Sequence, residues 1–133
     1  MPTILIDGLR FASLDEFWDE VGRELRLGMA WGRNLDAFDD MLGSASGPRD
    51  GGFTVRWLAS EVSRGRLGVD ATLQRLTERV AASPAAARGR RRQILDDFNQ
   101  GKGLTLFEQL VAIIRDHGRR GPQGGGGIEL ILA

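Results

Sequence analysis

Apolar positions along this chain alternate between two spacings. Residues 3–7, TILID, are β-branched and apolar and run into Gly8, which predicts a short strand. Leu14, Phe17, Trp18, Val21 and Leu25 then fall at i, i+3, i+4, i+7 and i+11, the stripe of an amphipathic helix. Ser13 and Glu16 make a capping box at its start. Its exposed side is expected to carry Asp15, Glu16, Asp19, Glu20 and Glu24, and Gly28 to lie at or just beyond its end. LGMAWGR reads as a loop. Asn34 is a good N-cap for a second helix, with Leu35, Phe38 and Leu42 inward and Asp36, Asp39 and Asp40 on the other side.

GSASGPRDGG is turn chemistry, FTVRWL at 53–58 a second strand, and ASEVSRGRL a short helix. From about residue 68 to 103 the apolar positions become sparser. ATLQRLTERVAA is helical through Leu73, Leu76 and Val80, SPAAARGRRR is small-residue and basic, and ILDDFNQGKG ends in two glycines. Thr105 and Glu108 make a second capping box, followed by Leu106, Leu110, Ile113 and Ile114. Gly118 is the expected C-cap residue, GPQGGGG a flexible connector, and IELILA a closing strand. The order β-α-α-β-α-(insert)-α-β predicts an α/β fold. It is a small three-stranded parallel sheet packed with helices, with a helical insert before the last long helix. Residues 1–133 are expected to form a single domain, with a core of 1–67 and 104–133 and a basic insert of about 68–103.

Composition narrows the class. A hydrophobic share of 41% supplies one core. No run approaches the ~20 apolar residues of a membrane span, and MPTILIDGLRF lacks the pattern of a signal peptide. The chain has no cysteine, so neither a disulfide framework nor a thiolate zinc site is available. These features favour a cytoplasmic protein with no membrane partner. The net charge of zero hides an asymmetry: residues 1–58 carry six Lys/Arg against ten Asp/Glu, and residues 59–103 carry nine against five.

Asp36 and Asp40 stand one helical turn apart, where like charges cost an isolated helix roughly 0.2–0.5 kcal/mol. Three readings fit them: a solvated helix face, a surface for a cationic partner, or a Mg²⁺ or acid–base site. The last lacks EF-hand spacing, a histidine ligand or a glycine-rich phosphate loop, so no metal, cofactor or catalytic residue is expected. RGRRR at 88–92 reads either as a nucleic-acid contact or as a solvated linker. Without interleaved aromatics the linker is preferred, and no direct nucleic-acid partner is expected. His117, the sole histidine, sits where a helix C-terminus is expected and has no nucleophile constellation around it. Trp18 and Trp57 read as core, whereas Trp31 in the loop is either core or a partner contact.

The stretch ELRLGMAWGRNLDAFDDML, with the strands ILIDG, FTVRW and IELIL in order around it, resembles the barstar family of intracellular ribonuclease inhibitors. The resemblance covers roughly residues 3–66 and 104–133 and leaves out the insert. It implies a non-enzymatic inhibitor that plugs the active-site groove of a small, basic, secreted, guanyl-preferring microbial ribonuclease, one-to-one, with carboxylates in place of RNA phosphate. On this basis Asp40 matches the family's central phosphate-mimicking aspartate and Asp36 a second acidic contact. Asn34, Gly32 and the loop backbone match contacts that shape the plug, and Asp116 matches a peripheral glutamate. Trp31, Ala30 and Gly32 would line the apolar part of the contact. Two positions depart from the family: its loop tyrosine falls at Ala30, and the tryptophan before its key aspartate falls at Asp39. Both departures point to a related ribonuclease other than barnase. The alternatives are a barstar-like scaffold serving immunity to another toxin or acting as an interaction module, and an RNA-associated protein using the basic insert.

Overall fold

The computed structural model describes residues 3–24, 34–45, 53–124 and 128–133. The order among the described residues is β1 (Thr3–Asp7), α1 (Leu14–Glu24), α2 (Leu35–Ala45), β2 (Phe53–Leu58), α3 (Ser60–Arg66), α4 (Val69–Ala81), α5 (Ala85–Asn99), α6 (Leu106–Gly124) and β3 (Ile128–Leu132). The sheet is parallel, in the order β1-β2-β3. Ile6 pairs with Trp57, and Val55 with Leu130.

Alternation along the strands gives the sheet two unlike faces. Ile6, Val55, Trp57 and Ile128 point into the core. In register on the other face lie Leu5, Arg56 and Ile131, all exposed. Parallel sheets are usually covered on both faces; here the core lies on one. Its centre is aromatic. Phe17 stacks on Trp57 with ring centroids 5.3 Å apart and meets Phe11, Trp18 and Phe38 edge-on. Trp57 satisfies its only polar atom by donating from Nε1 to Ser63 Oγ at 2.9 Å. Gly8, which follows β1, lies so close to the β2–α3 turn that a Cβ would stand 2.6 Å from the Ala59 carbonyl oxygen.

Capping sets the helix starts. Ser13 Oγ accepts the Glu16 N–H at 3.2 Å, while Glu16 reaches back to the N–H of Ala12, one residue earlier than the simplest capping box. Thr105 and Glu108 make the reciprocal pair, at 3.2 and 2.9 Å.

Four expectations need correction. Glu20, expected on the exposed side of α1, is buried at 1% exposure. Its Oε2 accepts the Asp7 N–H at 3.1 Å, and Arg23 pairs with its other oxygen, so both carboxylate oxygens are partnered where α1 meets the end of β1. RGRRR is not a linker but part of α5, which Pro84 opens from the N-cap position and three alanines begin. Proline at a helix start and alanine within it both favour helix. Gly118 does not end the last helix, which continues through GPQG to Gly124. A helical glycine costs about 1 kcal/mol, which weakens a helix without stopping it. His117 is therefore inside a helix rather than beside its C-terminus. The expected helix end near Gly28 lies outside the described residues.

Candidate functional site

Asn34 opens α2 as a true N-cap: its Oδ1 accepts the Ala37 N–H at 2.7 Å and its carbonyl the Phe38 N–H at 2.9 Å. The helix is held by one apolar edge. Phe38 and Leu42 are buried, and with Ile4, Ile6, Val21, Val55 and Ile114 they wall a small apolar void. Leu35 is half-buried beside them. This edge packs α2 against α6 and the sheet, leaving the opposite side to water.

Asp36 and Asp40 are both exposed on that side. Among the described residues nothing in the packing requires carboxylates there, and the helix carries the local cost of two like charges one turn apart. Asp39 behaves differently. His117 Nε2 lies 2.7 Å from Asp39 Oδ1, with the imidazole 4% and the carboxylate side chain 40% exposed. Since an ionised carboxylate only accepts, Nε2 is the donor in either protonation state. The three aspartates thus separate into an outward pair and a tethered third.

The signal for this split was in the sequence. At about 100° per residue, Asp39 lies about 60° from Asp36 toward the stripe of Leu35, Phe38 and Leu42, on the shoulder of the helix rather than its outer side. What the sequence hid was the partner, 78 residues away. Asp116, half-buried, immediately precedes that partner on α6 and so belongs to the helix that α2 packs against. Ala30, Trp31 and Gly32 lie outside the described residues.

Two surface depressions among the described residues lie elsewhere. One, of about 400 Å³, is bordered by Arg64, Leu104, Phe107, Glu108, Arg115 and Leu132. The other, of about 490 Å³, lies between the start of α1 and α4 and includes Asp15, Arg66, Asp70 and Arg75. There burial, and then the adjacent Arg79, lower the Arg75 guanidinium below its ordinary value. Among the described residues, no group of three or more His, Asp or Glu is placed to hold a metal ion. Nor is any helix among them long and apolar enough to cross a membrane.

The arginines of α5 are divided in role. Arg88 donates to the Ser83 carbonyl at 3.1 Å, and Arg91 to Ser83 Oγ at 2.9 Å and the Arg79 carbonyl at 3.4 Å. Two of the four therefore close the α4–α5 turn. Arg90 and Arg92, both exposed, point about 160° apart around the helix and form no single basic face. The hairpin is joined to the core through α4. Thr72 Oγ1 accepts the Leu106 N–H at 2.8 Å, and the Leu67 carbonyl accepts the Phe107 N–H at 2.9 Å.

Comparison with known families gives a match to Barstar (barnase inhibitor) over residues 1–96. The match takes in the first two strands, α1 to α4 and most of α5. No curated protein matches the chain. The chain belongs to the barstar family.

Proposed function

Taking membership of the barstar family as the premise, we propose that the chain inhibits a small, basic, secreted microbial ribonuclease by seating α2 in its active-site groove. A ribonuclease binds RNA through cationic side chains that hold phosphate. Asp36 and Asp40 offer such a site two carboxylates on one rigid face, each able to accept charge-assisted, bidentate hydrogen bonds from arginine. Opposite charge on the two partners also speeds encounter. The observation that carries this reading is the outward, exposed Asp36–Asp40 pair on a helix capped by Asn34 and anchored by Phe38 and Leu42.

In this reading Asp40 takes the phosphate site and Asp36 a neighbouring cation. Trp31, Gly32 and Ala30 form the apolar margin, and Asp39 and Asp116 lie at the rim. The complex is one-to-one, and no reaction is catalysed. The biological purpose is self-protection in the cytoplasm, where any copy of the nuclease that stays inside must be neutralised. Residues 68–103 form an insert outside this contact surface.

The test is titration of a panel of small basic ribonucleases, barnase included, while RNA cleavage is followed. Inhibition of at least one at micromolar concentration or below is expected, and failure against the whole panel would sink the reading. Asp40→Ala should weaken a strong complex by more than ~2 kcal/mol, the hot-spot threshold for which barnase–barstar is itself a reference case. A loss within error removes Asp40 from this role.

A further inference from the structure

We propose that His117 is a positioning residue for the carboxylate face of α2, acting through Asp39. The apolar edge formed by Leu35, Phe38 and Leu42 decides which side of α2 faces the core. Apolar contacts are not directional, and such an edge tolerates rocking about the helix axis. A hydrogen bond is directional, and it weakens steeply as its angle closes. The Nε2–Oδ1 bond joins α2 to α6 at the shoulder of the helix, between its buried stripe and its outer side. Its donor is almost wholly enclosed at 4% exposure, which limits competition from water.

The geometry makes this bond matter for the exposed pair. Asp39 lies about 60° to one side of Asp36, and Asp40 about 40° to the other. A carboxylate carried about 5–6 Å from the helix axis sweeps through about 2 Å when the helix turns by 20°. That exceeds the range over which a carboxylate keeps a bidentate hydrogen bond. Fixing Asp39 therefore fixes where Asp36 and Asp40 present their oxygens. The positioning of α2 is a property of the free protein; its bearing on affinity rests on the nuclease-inhibitor reading.

Three variants of the full chain test it. His117→Leu keeps apolar bulk and removes the donor. His117→Gln offers an amide N–H where Nε2 lies. Asp39→Ala removes the acceptor from the surface side without opening the core. Amide exchange in α2, read relative to α1 in the same molecule, should rise about tenfold in His117→Leu and in Asp39→Ala. It should stay within about threefold of the parent in His117→Gln. Because His117 is the only histidine, its ring ¹⁵N resonances are assigned without ambiguity. They should show a proton on Nε2 and should shift in Asp39→Ala. A proton on Nδ1 alone, or α2 exchange in Asp39→Ala unchanged relative to α1, overturns the proposal, and this holds even if His117→Leu does not fold.

With a nuclease that the parent chain inhibits, His117→Leu should bind at least fivefold more weakly and His117→Gln within twofold. Equal affinity for all of them, despite altered exchange, overturns the link to the binding face. If the parent inhibits no nuclease, the inhibitor reading fails on its own test, and the exchange and ¹⁵N measurements still decide what His117 does.

Discussion

Thr72 Oγ1 accepts the backbone N–H of Leu106 at 2.8 Å while its own hydroxyl donates to the Gly68 carbonyl at 2.7 Å. α4 thereby caps the first turn of α6, and the bond is fully enclosed, with Thr72 at 1% exposure. Thr72→Val keeps the shape and leaves the Leu106 N–H buried without an acceptor. A loss of about 1–3 kcal/mol is expected, seen as a lower urea midpoint at unchanged slope. Thr72→Ser keeps both bonds and should cost about 1 kcal/mol or less, the scale of one buried methyl.

Glu20 and Arg23 form an unequal pair. Glu20 is enclosed and also holds the Asp7 N–H, whereas the Arg23 side chain is 53% exposed. Glu20→Ala orphans a backbone donor at the end of β1 and should cost about 1–3 kcal/mol. Arg23→Ala removes a half-exposed partner and should cost about 1 kcal/mol or less, because water screens such pairs. Arg10, 3.9 Å from the same carboxylate oxygen, remains to share its charge. Chemical denaturation of both variants at one salt concentration checks the order; a larger loss for Arg23→Ala would contradict it.

The N-cap of α2 predicts a different asymmetry. Asn34→Ala removes the acceptor for the Ala37 N–H and should lower stability by about 1 kcal/mol, whereas Asn34→Gly should lose only a few tenths relative to asparagine. Thermal unfolding of the three proteins distinguishes this from a side chain needed only for partner contact, whose removal would leave stability unchanged.

Gly8 is required by crowding. A Cβ there would stand 2.5 Å from Ser63 Oγ and 2.8 Å from the Leu58 carbonyl oxygen, as well as close to Ala59. Two of these three neighbours are backbone and cannot swing aside. Gly8→Ala should destabilise the fold by about 1–3 kcal/mol, the usual cost of overpacking. It should also disturb the Ser63–Trp57 bond, visible as a change in near-ultraviolet circular dichroism.

What could be read from the sequence follows a physical division. The three strands, α1 and the second helix were legible because each is specified locally: TILID and IELIL by β-branched and apolar runs, α1 by Ser13 and its stripe, α2 by Asn34 and its stripe. Asp36 and Asp40 were legible as outward charges for the same reason. Glu20 was not, since its burial depends on where β1 ends relative to α1, a relationship no spacing records. His117 and Asp39 meet only because α2 packs on α6. The arginines of α5 were misread from their charge, although the three alanines after Pro84 already favoured a helix. The partners of Arg88 and Arg91, Ser83 and Arg79, exist only once α4 and α5 are antiparallel neighbours.

The connection from β2 to β3 runs from residue 59 to residue 127, and the α4–α5 hairpin makes up nearly half of it. For a flexible chain, doubling a loop adds only about 0.6 kcal/mol of closure entropy. The hairpin is folded and hydrogen-bonded back to α6, so its contribution to the fold can offset that small cost. The tip between α4 and α5 is thus a position where this chain should tolerate added length. Sequence grafted at the tip between α4 and α5, far along the chain from the aspartates of α2, should leave the closure of the sheet intact.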